Sequence, residues 1–151
     1  MLPFYTILCP LDFSEPSQKA LQAAVEMAGE FRAELVLVHV IPPAAPGIPV
    51  DPTYAFGGTE EYEKAVRTKV EEQLSLVAQR LPEGLKSRNV IASGNAADGI
   101  VRIANEQSAD LIVVATHGLT GWRHLVFGSV AEKVIRHADR PVLVIPVHES
   151  Q

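Results

Sequence analysis

Cysteine is nearly absent from this sequence, and so are long apolar runs and a basic charge excess. Cys9 is the only cysteine, so the chain can form no internal disulfide. No apolar run approaches the ~18–20 residues that a membrane-spanning helix needs, and no secretion signal opens the sequence. The formal net charge of −5 argues against a basic surface for nucleic acid or anionic lipid. We therefore expect a cytoplasmic protein with neither nucleic-acid nor membrane partners.

Several motifs of nucleotide and metal sites are also missing. The chain has no Walker A loop, which needs a lysine followed by Ser or Thr after its last glycine. It has no G-x-G-x-x-G fingerprint either. No pair of histidines or carboxylates has the spacing of metal ligands. These absences argue against a P-loop, a standard dinucleotide site and a metal centre held by protein ligands alone.

The apolar residues that are present, 47% of the chain, suffice for the core of one domain over residues 1–151. Strands are predicted at residues 5–11, 34–41, 89–93, 110–116 and 141–147. Helices are predicted after Ser14 and over residues 59–81, 96–108 and 129–138. This alternation predicts an α/β fold, with a single doubly wound five-stranded parallel sheet of order 3-2-1-4-5 and helices on both faces.

One long irregular segment, residues 42–58, contains five prolines and three glycines. Loops of this length in compact domains are usually functional or mobile. The segment leaves the carboxyl end of the second predicted strand. We therefore expect it to act as a mobile cover over a ligand bound near that strand.

A glycine-rich segment, residues 115–132, lies between the fourth predicted strand and the last helix. In open α/β sheets, ligands bind at the carboxyl ends of strands where the strand order reverses. Gly118 allows a sharp turn there, and Gly128 leaves the N–H groups of a helix N-terminus unobstructed. Such N–H groups and the helix dipole favour phosphate, and Ser129 adds a hydroxyl. The segment therefore predicts a phosphate site.

These residues resemble the motif of the nucleotide-binding universal stress proteins, Gly-x2-Gly-x9-Gly-Ser/Thr. Gly118, Gly128 and Ser129 match it, and Ala115 stands in place of the first glycine. The likeness extends to ILCPLDFSEPSQKAL, LVLVHVI and GNAADGIVRIANEQSADLIVVATHG. The resemblance implies an adenine nucleotide alpha hydrolase-like fold, bound ATP or AMP, and a regulatory role in the stress response.

The resemblance also implies which residues hold the nucleotide. Pro10, Leu11 and Asp12 would line the adenosine side, and the main chain of Val40 would hydrogen-bond adenine. The remaining implied nucleotide-binding residues surround the ribose and phosphates: Val114, Ala115, Thr116, His117, Gly118, Gly128, Ser129, Val130 and Ala131. Asp12 suits either a ribose hydroxyl or a Mg²⁺ or Mn²⁺ ion bound with the phosphates.

Some of these residues have structural alternatives. Asp12 is a preferred N-cap residue and can serve only to cap the first helix. Ser129 and Glu132 have the spacing of a capping box, and His117 can be a hydrogen-bonded loop histidine. Cys9 lies inside a strand-like run without a visible activator, so we expect a buried and unreactive thiol.

Three classes of function follow from these patterns. The leading one is a regulatory protein that binds an adenine nucleotide and has no catalytic residue. The second is a slow ATPase or nucleotidyl transferase, although no dedicated base or water-orienting group is visible. The third is a dimeric interaction module without nucleotide, which the retained motif glycines disfavour. A homodimer through residues 142–147 is expected, because an apolar edge strand needs to be covered and the resemblance implies pairing there.

Overall fold

A five-stranded parallel sheet forms the centre of the molecule. The computed structural model describes residues 1–43, 58–116 and 128–147. In chain order the elements are β1 (Thr6–Pro10), α1 (Glu15–Phe31), β2 (Glu34–Ile41), α2 (Gly58–Gln79), β3 (Ser87–Ser93), α3 (Ala96–Glu106), β4 (Leu111–Ala115), α4 (Ser129–His137) and β5 (Val142–Ile145). The strand order is β3-β2-β1-β4-β5, and every neighbouring pair is parallel. The predicted fold class and strand order are confirmed.

Helices cover both faces of this sheet. Successive side chains of a strand point to opposite faces, so Ile7, Cys9 and Leu35 pack with α1 and α2. Leu8 and Val36 pack on the other face with α3 and α4. All five side chains are fully buried. Burial on both faces explains why the central strands are apolar without alternation.

α1 begins and ends at residues that favour those positions. The Ser14 side chain caps its N-terminus by accepting the Ser17 N–H at 3.3 Å. Its sheet-facing side carries buried alanines at every fourth position: Ala20, Ala24 and Ala28. The helix ends before Arg32, whose backbone is left-handed (φ 53°) and whose N–H bonds the last turn.

The connection from β3 to α3 brings the N-terminus of α3 to the carboxyl edge of the sheet. Gly94 has a φ of +121°, a backbone conformation that residues other than glycine rarely adopt. Its N–H donates to the Ile41 carbonyl at 2.9 Å, which fixes the turn against β2. The Asn95 side chain then caps α3 by accepting the Asp98 N–H at 3.1 Å.

Asp110 ties the amino end of β1 to the amino end of β4. One of its carboxylate oxygens accepts the backbone N–H groups of Tyr5 at 2.7 Å and Thr6 at 2.9 Å. Nearby, the Arg140 guanidinium donates to the Ala109 carbonyl at 2.9 Å. These bonds lie at the opposite end of the sheet from the glycine-rich motif.

α2 is a helix of 22 residues whose outer side is rich in charged residues. Val70 and Leu74 pack against the sheet. Neither α2 nor any other helix within the described ranges is both long and apolar enough to cross a membrane. The segment before α2, residues 42–58, lies outside the described residues except for Pro42, Pro43 and Gly58. Its action as a mobile cover stays a prediction.

Candidate functional site

A pocket of about 700 Å³, including the space open to solvent, lies at the carboxyl ends of β1, β2 and β4. The strand order reverses here, because β2 and β4 lie on either side of β1. The pocket therefore has the position at which open α/β sheets bind their ligands.

The structure brings many of the predicted site residues together around this pocket. They come from the ends of β1, β2 and β4 and from the first turn of α4: Pro10, Leu11, Asp12, Val40, Val114, Ala115, Val130 and Ala131. Among the described site residues, Thr116, Gly128 and Ser129 do not line the pocket. His117 and Gly118 lie outside the described residues.

The first turn of α4 reaches the pocket through Val130 and Ala131. Gly128 is the N-cap residue with φ −55° and ψ 152°, and the helix begins at Ser129. The predicted capping box of Ser129 and Glu132 is wrong, because Ser129 lies inside the helix and no side chain caps this end. Glu132 pairs instead with Arg136 at 2.8 Å on the helix surface. The extended backbone of Gly128 is one that any residue can adopt.

Thr116 is held by β5. Its backbone N–H donates to the Ile145 carbonyl at 3.1 Å. Its Oγ1 accepts the Val147 N–H, also at 3.1 Å. The hydroxyl thus extends the pairing of β4 with β5 past the end of the strands.

Asp12 lies on the turn between β1 and α1. Its Oδ1 accepts the Ser14 N–H at 2.9 Å and is also hydrogen-bonded to the Ser14 hydroxyl. The N-cap of α1 is Ser14, so the alternative that Asp12 caps this helix is wrong. Asp12 is exposed and forms part of the pocket wall, so a ligand or a hydrated cation can reach its carboxylate.

Seven further lining residues were not predicted from the sequence. They lie at the start of α1, near the end of β2 and in the first turns of α3: Ser14, Pro16, Ser17, Val38, His39, Ala96 and Ile100. Every helix that follows a strand in a parallel sheet begins at the carboxyl edge. That rule, applied to α1 and α3 as it was to α4, would have indicated most of them.

Charge is sparse in the part of the pocket that the structure describes. Among its described lining residues, the ionisable side chains are Asp12 and His39, and most of the others are apolar. No group of three or more His, Cys, Asp or Glu within the described ranges could hold a metal ion. Within this described part, backbone N–H groups are available to a bound anion, and the apolar lining suits a ring.

Cys9 is not available as a nucleophile. It is fully buried in β1 behind the pocket. Burial raises the pKa of its thiol from 9.0 to about 12. The thiol therefore stays protonated at neutral pH, which confirms its predicted role as a small buried hydrophobe.

The fold and the pocket define a doubly wound α/β protein with a pocket at its switch point. Within that class, the universal stress protein family model matches residues 3–146, and the chain belongs to this family. It is 35% identical over 142 residues to universal stress protein MJ0531 of Methanocaldococcus jannaschii, a match that covers 92% of this chain and 80% of the relative.

Solved structures share the fold. Universal stress protein UspA from Lactobacillus plantarum superposes with a TM-score of 0.78 at 24% identity, covering 96% of this chain and 99% of that one. The universal stress protein from Archaeoglobus fulgidus in complex with dAMP superposes with a TM-score of 0.61 at 25% identity. That match covers 96% of this chain and 99% of the Archaeoglobus chain.

Proposed function

We propose that this chain binds an adenine nucleotide, ATP or AMP, in the pocket at the carboxyl ends of β1, β2 and β4. Occupancy of the pocket then acts as a regulatory signal in the stress response. The observation that carries the proposal is that eight of the residues that the family resemblance assigned to the nucleotide line one pocket at the switch point. The related Archaeoglobus fulgidus protein, solved with dAMP, supports the choice of ligand.

The adenosine part fits the apolar wall of the pocket. Leu11 and Val114 are buried beneath it, and Val40 borders it from β2. A purine ring needs such an apolar slot together with main-chain donors and acceptors at its edge. We assign the edge contacts to the main chain of Val40, at the carboxyl end of β2.

The phosphates fit the N-terminus of α4. This helix has nine residues, and its first-turn N–H groups have no side-chain cap. The positive end of the helix dipole favours an anion at that position. Gly128 presents no Cβ there, and we assign Gly128, Ser129, Val130 and Ala131 to phosphate binding together with Gly118.

Asp12 fits two roles beside a bound nucleotide. Its exposed carboxylate can accept a hydrogen bond from a ribose hydroxyl. It can also ligate a Mg²⁺ or Mn²⁺ ion that the phosphates bind, in which case water would fill most of the coordination sphere. Titration of AMP with and without Mg²⁺, in the parent chain and in Asp12→Asn, separates the two roles.

The variant Gly128→Asp tests the phosphate assignment. A carboxylate at about 5 Å from a phosphate, at an effective dielectric constant of roughly 20, repels it by about 3 kcal/mol. We therefore expect AMP and ATP affinity to fall by more than about 100-fold. Adenosine, which has no phosphate, should bind nearly as it does to the parent chain. Calorimetric titration with the three ligands measures the difference.

The matched control is Gly128→Asn, which has the same shape without the charge. Asp and Asn are both good N-cap residues, and φ at this position is −55°, so neither variant should lose thermal stability. Asn should retain most of the AMP affinity. Equal AMP binding by the parent chain and a folded Gly128→Asp variant would refute the phosphate site.

We also propose that two copies pair through residues 142–147. β5 lies at the edge of the sheet, and all four of its residues are only half-buried within one chain. An apolar edge strand of this kind is prone to aggregate unless it is covered. Pro146 lacks an N–H, which limits how far the pairing can extend.

A further inference from the structure

The turn between β1 and α1 contains a residue in an unfavourable backbone conformation. Phe13 has a φ of 64°, in the left-handed region that residues with bulky side chains seldom occupy. Asp12, its neighbour, belongs to the pocket wall. Contacts from elsewhere in the fold must therefore stabilise the turn in the shape that presents Asp12 to the pocket.

His39 supplies those contacts from β2. Its Nδ1 lies 2.6 Å from the carbonyl oxygen of Leu11. Its imidazole stacks on the Phe13 ring, with a centroid separation of 5.1 Å and an interplanar angle of 21°. A carbonyl oxygen can only accept, so Nδ1 carries the proton and donates it in this bond. A second bond, from the Leu11 N–H to the Val38 carbonyl at 2.7 Å, holds the same turn.

These contacts join the two sides of the pocket that receive the adenosine. Val38, His39 and Val40 are consecutive residues of β2, and all three line the pocket. On the other side, Oδ1 of Asp12 accepts the Ser14 N–H at 2.9 Å, which fixes the start of α1. Together with the backbone bond from Leu11 to Val38, the imidazole thus links the strand that would contact adenine to the turn that would contact ribose.

We infer that His39 is a positioning residue for the nucleoside part of the ligand. The inference rests on the proposed nucleotide binding and extends it to a residue outside the glycine motif. His39 acts through the Leu11 carbonyl and the Phe13 ring, and it holds the adenosine half of the pocket in its binding shape before the ligand arrives. Loss of the His39 side chain should weaken the binding of adenosine and of AMP by the same factor, because both ligands place their adenosine group in that half of the pocket.

The test compares His39→Leu with His39→Asn. Leucine removes the donor and the stacking, whereas the asparagine amide keeps an N–H donor close to the position of Nδ1. We expect His39→Leu to bind adenosine and AMP about tenfold more weakly, and His39→Asn to recover most of that loss. His137→Leu, the same substitution at an exposed position at the end of α4, should bind both ligands as the parent chain does.

A second measurement needs no ligand. Amide hydrogen exchange at Ser14 reports whether Asp12 still accepts its N–H. We expect faster Ser14 exchange in His39→Leu and near-parent exchange in His39→Asn. Unchanged Ser14 exchange in a folded His39→Leu variant would overturn the positioning role.

The two proposals fail in different ways. If the parent chain binds neither adenosine nor a nucleotide, the proposed function is wrong, and so is the positioning role of His39. If the parent chain binds and folded His39→Leu binds equally well, only the inference about His39 is wrong. If His39→Leu lost affinity for AMP but not for adenosine, the inference about His39 would also be overturned, because that result places the effect at the phosphates.

Discussion

Replacing Gly99 with alanine tests how closely α3 packs against the pocket wall. A Cβ at this position would lie 2.9 Å from both Cγ1 and Cγ2 of Val40. Carbon atoms pack at roughly 3.5 Å or more, so one side must move by about 0.6 Å. The side chain of valine is stiff at χ1 and cannot swing aside cheaply. The strain therefore falls on the contact between α3 and β2.

The expected change in stability combines two opposing terms. Overpacking a core contact typically costs about 1–3 kcal/mol. Alanine in a helix is more favourable than glycine by about 0.5–1 kcal/mol. We expect Gly99→Ala to lower the free energy of unfolding by about 1 kcal/mol, and to weaken AMP binding because Val40 is displaced.

Urea denaturation and AMP titration measure both effects, with two controls. Gly29→Ala lies in α1, where the added Cβ meets nothing within 4 Å, so it should stabilise the fold by about 0.5–1 kcal/mol. In a Val40→Ala background the obstructing methyl groups are gone, and Gly99→Ala should then stabilise the fold as well. If Gly99→Ala alone stabilises as much as Gly29→Ala and leaves AMP affinity unchanged, the packing argument is refuted.

Two further predictions concern Cys9 and β5. Because burial raises the pKa of the Cys9 thiol from 9.0 to about 12, the unfolded chain loses this proton first as the pH rises. The free energy of unfolding should therefore fall, relative to that of Cys9→Ala, by roughly 1 kcal/mol per pH unit as the pH rises from 9 towards 12, and urea denaturation at alkaline pH measures it. Light scattering at micromolar concentration should give the mass of two chains, and a monomer mass would contradict pairing through β5.

The sheet could be predicted closely because its strands are short apolar runs between clear turns. β2 covers Glu34–Ile41, as predicted, since burial on both faces makes most of the strand apolar. The first strand, predicted over residues 5–11, is shorter at Thr6–Pro10. At its amino end, the Tyr5 N–H bonds to the Asp110 carboxylate and not to a neighbouring strand. The local periodicity of the sequence cannot indicate a hydrogen-bond partner that is 105 residues away.

The site could be predicted where a motif or the topology marks it, and not where long-range contacts define it. The predicted strand order and the switch-point rule were enough to indicate a pocket at the carboxyl ends of the central strands. The contact of His39 with Leu11 joins residues that are 28 positions apart, so hydrophobic patterning indicates only that His39 belongs to a strand. The capping box at Ser129 failed because spacing alone does not say which residue is the N-cap, and here it is Gly128.

The central position of β1 has a consequence for synthesis on the ribosome. β1 is made first, but one of its two neighbours, β4, is made about 100 residues later. At a synthesis rate of roughly 5–20 residues per second, one edge of β1 stays unpaired for several seconds before β4 is made. Closing so long a loop is slow, so we expect the pairing of β1 with β4 to come late in folding on the ribosome. The strand at the centre of the finished sheet is thus the one that stays half-paired longest during synthesis.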